Sequence, residues 1–100
     1  MYDMKNLKKL AKLAELAPEA WKSFVAFDAA AFAGGVIPLK YKELMAVAVA
    51  LTTQCPYCIE IHAKKAKNAG ATEQELAETT LIAAALRAGG AVTHGTHTLE

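Results

Sequence analysis

Glu43–His62 reads ELMAVAVALTTQCPYCIEIH, and the interpretation of the whole chain turns on where this stretch bends. Val47–Leu51 is an apolar run of helical character, Thr52–Gln54 is polar and breaks it, and Pro56 opens a second helix. Proline suits the first helical position, because the N–H it lacks has no intrahelical partner there in any case. Cys55 then falls at or next to the N-cap, while Cys58 and His62 stand at i and i+4 on one face of the second helix. Glu43 lies about ten residues before the break and His62 about eight after it, roughly 15 Å and 12 Å along their helices at 1.5 Å per residue. If the two helices fold back on each other, carboxylate, imidazole and thiol reach one level.

One hundred residues suffice for one domain, expected over 1–100, with a modest core. Hydrophobic residues make up 54% of them, more than a small monomer can hide, so apolar helix faces are expected to meet other subunits in a homo-oligomer. A net charge of +1, with no basic run interleaved with aromatics, argues against nucleic acid or an anionic membrane as partner. The longest apolar run, Leu44–Leu51, is far too short to span a bilayer. The N-terminal MYDMKNLKKLAKLAELA is amphipathic rather than a signal peptide. The expected location is therefore cytoplasmic, where a C-x-x-C pair is more often redox or metal chemistry than a static cross-link.

No segment alternates as a strand would, and alanine, the best helix former, dominates, so the expected class is all-α with five to six helices. Asp3–Leu16 presents Leu7, Leu10, Leu13 and Ala14 as one stripe, with Lys5, Lys8, Lys9 and Lys12 mainly off it as a solvated face. A second helix is expected over Glu19–Phe32, with Trp21, Phe24, Val25, Phe27, Ala31 and Phe32 available for packing, a core or subunit interface being favoured over a substrate pocket. Leu39–Thr53, apolar nearly all round after Glu43, is expected to be central. Pro56–Ala69 buries Ile59, Ala63 and Ala66 and exposes Glu60, Lys64 and Lys67. Thr72 and Glu75 form a capping box that starts a fifth helix, with Leu76, Thr79, Thr80, Ala83 and Leu86 turned inward. Gly89–Gly90 is expected to break or kink it, leaving a short last helix with Val92, His94 and His97.

The chemistry concentrates on four residues. A thiolate is the reactive form of cysteine, and a helix N-terminus favours it through unsatisfied N–H groups and the macrodipole. The two-residue spacer keeps the sulfurs of Cys55 and Cys58 within closing distance of a disulfide. His62 is placed to exchange a proton with Cys58, and Glu43 to orient His62 and favour its charged form. This is the logic of a thiol oxidoreductase or thiol peroxidase that needs no cofactor. The rival is a metal held by Cys55, Cys58, His94 and His97, whose spacing departs from common zinc patterns. A further alternative is a non-enzymatic oligomeric module that senses redox state or binds metal. For His94 and His97, packing or interface roles are favoured over catalysis.

Glu43, eleven intervening residues, Cys55-Pro56-Tyr57-Cys58, three more and then His62 resemble the signature of alkylhydroperoxidase D-like proteins in the carboxymuconolactone decarboxylase family. The surrounding TTQCPYCIEIHAKKAKNAGATEQELAE and the closing GGAVTHGTH are similar too, so the likeness spans about Leu16 to His97. The resemblance implies an all-helical fold assembled as trimers or hexamers. It implies that Cys58 attacks a small-molecule peroxide and becomes a sulfenic acid, that Cys55 then closes the disulfide, and that Glu43 and His62 relay protons to Cys58. It also implies an external dithiol reductant, a lipoylated or thioredoxin-like protein. Tyr57 is a departure, since full-length peroxidases of this kind often carry a histidine between the cysteines. The decarboxylase branch lacks the cysteine pair, so a lactone as substrate is not expected.

Overall fold

The computed structural model describes residues 1–100 and is all-α, as the composition implies, with no strand. Two compact units are distinguished, Met1–Leu39 and Lys40–Glu100.

In the first unit a 3-10 segment, Met4–Lys9, leads into helix α1, Leu10–Leu16, and helix α2 covers Pro18–Phe32. The single helix expected over Asp3–Leu16 is thus divided. Asp3 Oδ1 accepts the Lys5 N–H at 2.9 Å and the Asp3 carbonyl accepts the Asn6 N–H at 2.8 Å, while the Asn6 side chain returns to the Met1 carbonyl at 2.8 Å. These local bonds favour the tighter i→i+3 turn at the start. Pro18 occupies the first turn of α2. Leu13, Ala17, Ala20, Trp21 and Phe24 line an apolar groove, with the Trp21 and Phe24 rings 5.7 Å apart and tilted. Trp21 and Phe32 are half-buried, but Phe24, Val25 and Phe27 are exposed, so the α2 aromatics do not build a core within the chain.

The second unit holds helix α3, Leu39–Thr53, from its second residue onward, then α4, Pro56–Asn68, and α5, Glu73–Gly95, followed by a 3-10 turn at Thr96–Thr98. Its buried residues are Val47 and Ala50 of α3, Ala66 of α4, Ala71 of the following turn and Ala83 of α5, with Glu43 and Thr79 as the buried polar groups. Alanines at the buried positions allow close approach of helix backbones. The expectation for α3 holds on one face only, since Met45 and Val49 are exposed on the other. In α5, Thr79 and Ala83 point inward and Leu76 is half-buried, while Thr80 and Leu86 point outward.

Helix α5 runs unbroken through Gly89 and Gly90 to Gly95, against the expected break. Each glycine costs a helix about 1 kcal/mol relative to alanine, which weakens the segment without ending it, because neither adopts the left-handed conformation that terminates helices. Its start matches the sequence reading: the Thr72 hydroxyl accepts the Glu75 N–H at 3.1 Å, and the Glu75 carboxylate accepts the Thr72 N–H at 2.9 Å. Glu75 also pairs with Lys40 of α3 at 3.0 Å. The Thr72 N–H first and the Lys40 ammonium second hold the Glu75 carboxyl below its usual range, and the same bond raises Lys40. No helix is long and apolar enough to cross a membrane.

Candidate active site

Helix α3 ends in a sharp reversal that sets the position of Cys55. The last carbonyls of a helix lack intrahelical partners, and here several find others. The hydroxyls of Thr52 and Thr53 donate to the Val49 carbonyl at 2.8 and 2.9 Å, and the Cys55 N–H donates to the Ala50 carbonyl at 3.0 Å. Arg87 Nη1, from α5, donates to the Thr52 carbonyl at 2.6 Å. Gln54 adopts φ 56°, the left-handed conformation of a helix C-terminal cap and the only positive φ at a non-glycine residue of the chain. Cys55 follows in extended conformation as the N-cap of α4, and Pro56 takes the first helical position.

Cys55 caps α4 with its sulfur, which accepts the Cys58 N–H at 3.3 Å. Both cysteines are free thiols and half-buried. The Cys58 thiol donates to the Cys55 sulfur, and this bond, then the Cys58 N–H, holds Cys55 below the usual thiol range. Partial burial opposes the shift and the Tyr57 N–H adds to it. The same shared hydrogen bond, then burial and the Cys55 charge, pushes Cys58 up to about 11. The readily formed thiolate is therefore Cys55, while Cys58 keeps its proton at rest. The spacing alone does not foretell this asymmetry, because it arises from which thiol donates to the other and then from which sulfur faces the N–H groups of the first turn.

Glu43 and His62 meet as the sequence levels imply. His62 Nδ1 lies 2.6 Å from Glu43 Oε2, across the pair of helices α3 and α4. Glu43 is only 4% exposed, and no buried side-chain nitrogen or oxygen lacks a partner. A carboxylate can only accept, so Nδ1 carries the hydrogen and Nε2 is the nitrogen of the neutral ring that takes up a proton. Cys58 stands one turn before His62 on α4. Carboxylate, imidazole and two thiols are thus held by two helices and one turn, a constellation suited to moving a proton at a sulfur.

His94 and His97 lie apart from this constellation in role and form a tilted ring pair of their own, with centroids 5.5 Å apart at the end of the chain. Within the chain, no group of three or more His, Cys, Asp or Glu side chains is arranged to hold a metal ion, so the four-ligand set Cys55, Cys58, His94 and His97 is not assembled. Sequence reasoning missed Gln54 and Arg87. Their available signals were weak: a non-glycine residue where a helix must reverse, and the one arginine of the chain set in an alanine-rich helix.

Fold and site together define an all-helical dithiol protein. Residues 18–100 match the model of the carboxymuconolactone decarboxylase family, and the chain belongs to that family. It is 44% identical over 77 residues to an uncharacterized protein encoded in the cox locus of Paracoccus denitrificans, covering 77% of this chain and 69% of that one. An uncharacterized Haemophilus influenzae protein is 45% identical over 49 residues, covering 49% of this chain and 43% of that one. Among solved structures, a protein from Methanobacterium thermoautotrophicum superposes with a TM-score of 0.83 at 35% identity, covering 88% of this chain and 99% of that one. The apo form of a carboxymuconolactone decarboxylase family protein from Legionella pneumophila gives a TM-score of 0.78 at 35% identity, covering 82% and 73%.

Proposed function

We propose that this protein is a thiol-dependent peroxidase of the alkylhydroperoxidase type, cycling Cys55 and Cys58 between dithiol and disulfide. The observation that carries the reading is the Glu43–His62 hydrogen bond one helical turn from Cys58. A sulfur whose pKa is pushed up to about 11 is a poor nucleophile at neutral pH unless a base takes its proton. An imidazole held by a buried carboxylate is such a base.

In the cycle, His62 takes the proton from Cys58 and the Cys58 thiolate attacks a peroxide oxygen. An S–O bond forms, the O–O bond breaks, and the departing alkoxide or hydroxide takes the proton back from His62. Cys58 is now a sulfenic acid. Cys55, the thiol whose anion forms more readily, attacks the Cys58 sulfur as its thiolate, and hydroxide leaves with one proton from solvent as water. The peroxide has gained two electrons and the protein holds a disulfide. An external dithiol of the lipoylated or thioredoxin-like kind then returns two electrons and two protons, itself becoming a disulfide.

The assembly is read as a homo-oligomer, supported by the exposed apolar residues on α2, α3 and α5. Cytoplasmic residence fits two free thiols. The test is a panel of hydrogen and organic peroxides with candidate dithiol donors. The expected result is loss of both free thiols on peroxide addition, recovery with the dithiol, and many turnovers per subunit. A single stoichiometric oxidation without turnover favours a redox-sensing module instead.

A further inference from the structure

Arg87 is the only arginine of the chain, and its bond to Thr52 spans 35 residues of sequence. We propose that Arg87 is a positioning residue for the redox pair: by holding the Thr52 carbonyl, it fixes the turn between α3 and α4 that seats Cys55 at the N-cap. The inference rests on reading Cys55 and Cys58 as a redox pair, but its test needs no peroxide.

Two turns of the same design lie side by side in the chain and differ in one respect. After α4, Gly70 supplies φ 100° and the Ala71 N–H closes on the Ala66 carbonyl at 2.9 Å. After α3, the Cys55 N–H closes on the Ala50 carbonyl in the same five-residue pattern, but the left-handed position is held by Gln54. Glycine takes that conformation without strain, whereas a residue with a Cβ persists there only when its surroundings over-determine it. The bonds from Thr52, Thr53 and Cys55 are all local and move with the turn. The Arg87 bond is anchored in a different helix, and its cation lies at the carboxyl end of α3, where the helix dipole favours positive charge.

The influence on Cys55 runs through geometry rather than charge. Cys55 owes its acidity to Cys58 and to the N–H groups of Cys58 and Tyr57, and Arg87 is not among the causes. Those N–H groups act only if Cys55 holds its N-cap conformation. If the turn before it swings, the sulfur leaves the N–H of Cys58.

Arg87→Met keeps the aliphatic stem and removes every donor, and because Arg87 is exposed it opens no cavity. Three readouts on the reduced or redox-buffered protein apply: the pH profile of Cys55 alkylation, the dithiol–disulfide equilibrium, and amide exchange at Cys55. The expected result is a Cys55 alkylation rate at neutral pH lower by about threefold or more, because weakening a hydrogen bond to the thiolate lowers the fraction of Cys55 in the reactive form. The redox equilibrium should shift with it, and the Cys55 amide should exchange faster while that of Ala66 does not. Arg87→Lys, which retains one donor, should recover most of the wild-type profile, and Arg87→Gln, shorter and neutral, should behave like Arg87→Met. A lower melting temperature in Arg87→Met with unchanged alkylation and redox equilibrium would overturn the proposal, leaving Arg87 a stabilising residue only. Absence of peroxide turnover in the wild type bears on the proposed activity and leaves these thiol readouts valid.

Discussion

Cys55 and Cys58 occupy one helical turn yet shift in opposite directions, because the Cys55 sulfur accepts from the Cys58 thiol and from backbone N–H groups, whereas the Cys58 thiol is the donor of that shared bond and is partly buried. The thiolate is the reactive form, so a lowered pKa raises reactivity at neutral pH and a raised one suppresses it. Alkylation of the reduced protein by iodoacetamide, followed by peptide mass spectrometry, should label Cys55 first, with a midpoint below the usual thiol range. Cys58 should label only as pH approaches about 11 while Cys55 remains unmodified. Equal labelling at pH 7 would contradict the assigned asymmetry. Glu43→Gln replaces a buried carboxylate by an amide of the same shape, so helical content should persist. Peroxide consumption should fall by about 10²-fold, the lower end of what general acid–base groups contribute. Unchanged peroxide kinetics would remove the relay. Cys58→Ser and Cys55→Ser should each abolish turnover, and Cys55→Ser should leave Cys58 to over-oxidise past the sulfenic acid.

The helices owe their ends to specific caps, and these can be tested singly. Gln54→Gly relieves a left-handed residue and should stabilise the protein by about 1 kcal/mol in denaturant unfolding. Gly70→Ala should destabilise it by about 1–2 kcal/mol, wholly through the backbone, since an added Cβ there meets nothing within 4 Å. Glu75 serves both the capping box and the pair with Lys40. Its folded pKa is depressed, so its contribution is present above the unfolded carboxyl range and is lost as pH falls through the lowered one. The deficit of Glu75→Gln relative to wild type should therefore be largest near neutral pH and shrink in acid, which a series of thermal melts will measure. A deficit that grows in acid would reverse the assignment.

Across the chain, apolar surface is abundant where nothing within one subunit covers it. Met45 and Val49 on α3 and Leu81, Ile82 and Leu86 on α5 are all at least half-exposed, and Tyr41, Leu44, Met45, Ala48, Thr79 and Ile82 line an apolar groove of about 240 Å³. Burying such faces between subunits removes them from water at about 25 cal/mol per Å². Light scattering should give a mass several times 10.6 kDa, and Ile82→Lys should lower it while preserving helicity. A single species of 10.6 kDa in the wild type would refute the proposed oligomer.

Helix type, most helix limits and the contents of the site were legible in the sequence, because each rests on local chemistry. Pro56 at the first helical position places Cys55 at the cap, and Thr72 with Glu75 starts α5, whatever the rest of the chain does. The equal heights of Glu43 and His62 followed from the rise per residue alone. The tertiary structure decided what depends on rotation and on long-range neighbours. It turned Glu43 onto His62, gave the lower pKa to Cys55, carried α5 through two glycines and brought Arg87 to Thr52. A periodicity fixes which residues share a face, but only the packing of one helix on another fixes what that face meets.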